Sequence, residues 1–149
     1  VDGAGLGEAS QAGVSDSGSA AARELAARSD VIEEAYEFFL AYAAQGLPTE
    51  TGAGHQIREF LKKFDTALAD IAGFLLGYVG RLGVDVEPYR AFIAVIGRDA
   101  GDAQAALRLV LAQPSISSQI IDNLNASIHV RALLTDLFLI DEVLKSHQS

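Results

Sequence analysis

An all-α fold is the class this sequence predicts, and three observations predict it. Ile57, Leu61, Phe64, Leu68, Ile71, Leu75, Tyr78 and Leu82 recur at alternating steps of four and three, which lays an apolar seam along one side of a helix. The same rhythm returns in Tyr89, Ile93, Ile96, Ala100, Ala103, Leu107 and Val110. The periodic stretches are separated by short connections marked by Gly46 and Pro48, Gly83, and Pro114. Together these predict four long helices, at about 20–46, 54–82, 86–112 and 115–146, in an up-down-up-down bundle. A globin-like packing of the same helices is the structural alternative, although no histidine lies where a proximal haem ligand is expected.

Residues 1–19 are Gly, Ala and Ser interrupted by Asp2, Glu8 and Asp16, and are expected to form a flexible tail ahead of one domain at 20–149. In the first helix Ile32, Tyr36, Phe39, Leu40 and Ala43 make the apolar face. Asp30, Glu33, Glu34 and Glu37 fall together on the other side as an acidic stripe, read either as a solvated face or as a contact surface for a basic partner.

The second helix carries His55, Arg58, Glu59, Lys62, Lys63, Thr66 and Asp70 outward, a mixed surface of ordinary pairing. Gly73, Gly77 and Gly80 lie away from its seam. Each costs about 1 kcal/mol in a helix interior relative to alanine, so a close helix against bare backbone is expected at Gly73 and Gly77, with glycines that are merely tolerated as the alternative. In the third helix, capped by Asp85 with Pro88 in its first turn, Gly97 falls at about the height of Gly73 in an antiparallel pair, which places the crossing there.

In the last third, Ile116, Ile120, Ile121, Leu124 and Ile128 share one side, whereas Val130, Leu133, Leu137, Ile140 and Leu144 share nearly the opposite side. One straight helix cannot bury both sets against one core. A kink or break is expected within 123–129, where Asn123, Asn125 and Ser127 compete for backbone hydrogen bonds; an unbroken helix buried on two sides is the alternative.

Composition narrows function mainly by exclusion. Eleven Lys and Arg against twenty Asp and Glu give a net charge of −9, which repels phosphate backbones and anionic leaflets, so neither nucleic acid nor membrane is an expected partner. The uncharged run 71–80 falls far short of the about 20 apolar residues of a membrane span. There are no cysteines, hence no disulfide framework and no thiolate chemistry. With Val1 first and no methionine, the chain is expected to be a processed form or a fragment. The cytoplasm is the favoured compartment, with export after processing left open.

No Glu-x-x-His, Walker-type loop or Gly-x-Ser-x-Gly occurs, and His55 with Glu59 has no second cluster to complete a metal site, so no metal and no cofactor are expected. His55-Gln56-Ile57-Arg58-Glu59-Phe60-Leu61 resembles the His-x-[Leu/Ile]-Arg-x-x-Leu core around the phosphoacceptor histidine of two-component signalling bundles. That resemblance implies phosphotransfer at His55; Gln56 and Glu59-Phe60 depart from the residues usual there. If a polar pocket exists, its expected lining is His129 with Asn125, Arg131 and Tyr36. The leading functional expectation is a non-catalytic bundle that binds another protein, as a regulatory, adaptor or inhibitor subunit, or that assembles with itself. A carrier or sensor of a small apolar ligand is the alternative.

Overall fold

Periodicity and stop residues resolve into six helices among the described residues, with no strand. In the computed structural model, the residues described are 2–51 and 54–147, with side chains for 18–51 and 56–147. The helices are α1 (Asp2–Ala44), α2 (Gly54–Ala67), α3 (Ile71–Gly80), α4 (Glu87–Leu111), α5 (Ser118–Ala126) and α6 (Ile128–Lys145). The expected four long helices are therefore corrected to six, because two of the four are divided.

The backbone of α1 is helical from Asp2, so most of the segment expected as a flexible tail is a helical extension. The physical reason is cooperativity. A helix already fixed by the burial of Ala21, Leu25, Ile32, Ala35, Phe39 and Tyr42 needs no new nucleus to grow backwards, and each added residue meets only the propagation cost.

The second expected helix breaks between Ala67 and Ile71. Leu68, Ala69 and Ile71 N–H groups donate to the carbonyls of Asp65, Thr66 and Leu68, tight i to i+3 turns that close α2, and Asp70 takes the left-handed conformation at φ 50°. Aspartate tolerates that region better than most residues. The freed carbonyls of Ala67 and Ala69 accept from the Arg28 guanidinium at 3.1 and 2.8 Å, and the same cation lies 4.9 Å from the Phe74 ring centre. Leu68 and Ile71, three apart, both stay buried, so the seam crosses the break without losing its phase.

That break also corrects the glycine expectations. A Cβ on Gly73 would meet the Asp70 carboxylate at 2.5 Å, so its bare backbone accommodates the residue that starts α3, not a crossing helix. Gly77 is exposed and has nothing within 4 Å among the described residues. Gly97 does meet α3, with the Ala72 methyl 3.2 Å from where its Cβ would stand. The cap of α4 is Val86, while Asp85 Oδ1 accepts from Glu87 N at 3.3 Å.

The chain breaks again at Ser127, whose ψ of 142° is extended, inside the 123–129 window. The phase change is thereby accommodated: Ile116, Ile121 and Leu124 are buried ahead of it, and Val130, Leu133, Leu137, Ile140 and Leu144 behind it. Ile128, expected with the first set, is instead exposed. Helix α1 packs on α2 and α5, α4 on α2, α3, α5 and α6, and the buried side chains form one cluster between them.

Candidate functional site

The end of the fold where α1 stops is held by buried polar bonds. Tyr42 Oη donates to Ile116 O at 2.6 Å, and Ser118 Oγ donates to Tyr42 O while accepting from Leu47 N. Beside them Arg58 of α2 makes a two-pronged pair with Glu50, at 3.0 and 2.5 Å, and donates to Leu111 O and Gln113 O at the end of α4. Glu50 Oε1 also accepts from Ile116 N at 2.7 Å. The hydrogen-bonded Arg58 holds the Glu50 carboxyl below the usual carboxylate range, and burial pushes the Tyr42 phenol up. Every strong group here is committed to carbonyls or to its ion partner, so the cluster is a structural tie.

Along the flank of α1 and α2 a groove opens instead, of about 630 Å³. Ala27, Val31 and Glu34 line one wall and Phe60, Lys63 and Ala67 the other. Each row follows helical spacing and covers about two turns, roughly 10 Å. Behind that wall Phe60 stacks on Phe38 with ring centres 4.4 Å apart, and Lys63 Nζ lies 5.1 Å from the Phe60 centre. Arg28 closes one end while bound to the α2 carbonyls. The acidic stripe continues outward from this wall. Asp30, Glu33, Glu34 and Glu37 are all exposed, with Glu34 in the groove itself, Asp30 and Glu37 beyond its edge, and Glu33 on the other flank of α1 beside Phe138 of α6. Lys62 and Lys63 stand on the α2 edge together with Glu59. The α1 wall thus carries Glu34 and Arg28, and the α2 wall Lys62 and Lys63 with Glu59.

The four residues expected to line a polar pocket differ in exposure. Tyr36 is half-buried on α1 and Asn125 is buried on α5, but His129 and Arg131 are both exposed. The break at Ser127 explains this: it turns Val130 inward, and that phase puts His129 and Arg131 in solvent. Asn125 Nδ2 and Oδ1 have no hydrogen-bond partner among the described residues. The side chain of His55 lies outside the described residues. Among the described residues no cluster of three or more His, Cys, Asp or Glu is disposed to hold a metal ion, and no helix is long and apolar enough to cross a membrane.

Two further features escaped sequence reasoning. Asp136 of α6 lies beside Asp99 of α4, and burial, then that second carboxyl, push Asp136 up to about 7. Between α4 and α6, Pro88, Tyr89, Phe92, Leu139, Ile140 and Val143 line an apolar hollow of about 340 Å³. Both pair residues of α4 with residues of α6 far along the chain, beyond the reach of helical spacing. No protein-family model, curated protein or solved structure matches the chain.

Proposed function

We propose that this chain is a non-catalytic binding protein whose α1–α2 groove receives an amphipathic helix of another protein, with basic side chains of that helix turned toward α1. The observation that carries the reading is the groove itself: apolar side chains of two helical rows facing each other, with Glu34 at the α1 edge and the exposed Asp30 and Glu37 beyond it. Two rows of side chains at helical spacing make a channel into which the ridge of a third helix fits, with anchors at i, i+3 or i+4, and i+7. The stripe gives the docking its polarity, since exposed acidic side chains steer a basic partner and add little to folding. The larger hollows are open to solvent, which suits a side chain ridge better than an enclosed small molecule.

Two helical peptides with identical apolar anchors, one with lysines on its flank and one with glutamates, test this by calorimetric titration. The lysine peptide should bind at least about tenfold tighter, and Glu34→Lys with Glu37→Lys should erase the preference. Asp102→Lys with Asp122→Lys, the same charge change on other exposed surface, should leave it. Equal losses in both double variants would mean that general charge attraction, not the groove, drives binding, and the reading would fall.

A further inference from the structure

The outer face of α6 carries the second surface. Seven large hydrophobic side chains are exposed among the described residues, and four of them are on this one helix: Ile128 at 72%, Phe138 at 55%, Leu139 at 53% and Val143 at 37%. Leu40, Leu76 and Leu109 are scattered singly over three other helices, which is ordinary. Leu139 and Val143 line the hollow formed with Pro88, Tyr89 and Phe92 of α4, so the patch spans two helices, while Phe138 stands on the other flank of α6 near Ile32 of α1.

Its charges decide what covers it. Arg131 and Glu142 are both exposed and eleven residues apart, which is three turns, and at 100° per residue they differ by only about 20° in direction. They stand on the same flank of the apolar row. When two copies of one helix pair antiparallel about a two-fold axis, each flank faces the same flank of its mate, and heights invert about the centre. Arg131 of one copy then meets Glu142 of the second, twice. The register that makes these two pairs also sets Leu139 over Thr135 of the second copy and Val143 between Ile128 and Ala132 of the second copy. The two Phe138 rings fall together on the Arg131 flank. Within its own chain Glu142 lies only 3.7 Å from the exposed Lys145, a contact that a better placed guanidinium displaces.

We infer that α6 is a self-complementary interface through which two copies of this chain associate, antiparallel, by its Ile128, Phe138, Leu139 and Val143 face with reciprocal Arg131 to Glu142 pairs. This is independent of the α1–α2 groove, and either can fail alone.

Sedimentation equilibrium of the full chain tests it. The chain should be dimeric at tens of micromolar, and Leu139→Glu should be monomeric. Arg131→Glu alone sets two carboxylates against each other at both pairs, and Glu142→Arg alone sets two guanidinium groups together at both; each should weaken association about tenfold. Mixed in equal amounts, the two variants regain attraction in the heterodimer, where an all-acidic flank meets an all-basic one, and should return to the strength of the unaltered chain. All three substituted positions are on the surface, and circular dichroism should show unchanged helicity. A monomeric unaltered chain at hundreds of micromolar would overturn the inference, as would a dimer indifferent to Leu139→Glu. A mixture no tighter than its components would overturn the antiparallel register.

Discussion

Arg58→Met removes a guanidinium and keeps most of its apolar stem, so it isolates the tie that joins α2 to the ends of α1 and α4. Four hydrogen bonds disappear: two to Glu50, one to Leu111 O and one to Gln113 O. The Glu50 carboxylate is left with Ile116 N, and two carbonyls at the end of α4 lose this donor. Breaking a fully buried pair costs about 3–5 kcal/mol. Here the two side chains are 26% and 20% exposed, so water replaces part of what is lost, and about 2–3 kcal/mol is expected. For a chain of this length that lowers Tm by about 5–10 °C. Urea denaturation with Glu50→Gln and the double variant gives the coupling between the two side chains directly. The pH dependence provides a second reading. Because Arg58 depresses the Glu50 carboxyl in the folded state, its contribution is complete above the ordinary carboxyl value and is lost as pH falls through the depressed one. Arg58→Met should therefore lose less stability on acidification than the unaltered chain. A loss below about 0.5 kcal/mol at neutral pH, with an unchanged acid limb, would refute the assignment of this cluster as a tie.

Gly77→Ala should stabilise by up to about 1 kcal/mol at any protein concentration, because the added methyl meets open space on a helix. Gly97→Ala should gain little or lose, since its methyl meets Ala72 at 3.2 Å; urea midpoints separate the two. Asp136→Asn should stabilise above neutral pH. The carboxyl is raised from 3.8 to about 7, so its favourable contribution is complete below the ordinary value and is lost as pH rises through about 7. That displacement corresponds to about 4 kcal/mol between protonation states, and solvent reaching the half-buried pair reduces the expected gain at pH 8 to about 1–2 kcal/mol. Urea titrations from pH 4 to 8 should show the unaltered chain losing stability across this range and Asp136→Asn nearly level; parallel curves would contradict the raised Asp136 carboxyl.

What was legible in the sequence was local and periodic. The reversal of apolar phase between Leu124 and Val130 announced the break at Ser127, because a helix cannot rotate its buried face without interrupting its hydrogen bonds. The acidic stripe needed nothing beyond four residues on one wheel. The break at Asp70 left no such trace, since Leu68 and Ile71 keep the seam in phase while the backbone turns. Arg58 looked like one more surface charge: its carbonyl partners lie 53 and 55 residues away, where spacing carries no information. The groove is of the same kind, as each wall is readable alone while their facing is a product of how α1 and α2 pack. His129 was misplaced for a related reason: the phase change implies the break, but the rotation it imposes on α6 depends on the packing that follows.

Amide chemical-shift mapping with the lysine-flanked helical peptide shows whether the α1–α2 groove is where a partner helix docks. Perturbations concentrated in residues 27–38 of α1 and 59–67 of α2, and removed by Glu34→Lys with Glu37→Lys, are the predicted result. Perturbations centred on α4 and α6, or spread evenly over the acidic surface, would contradict it.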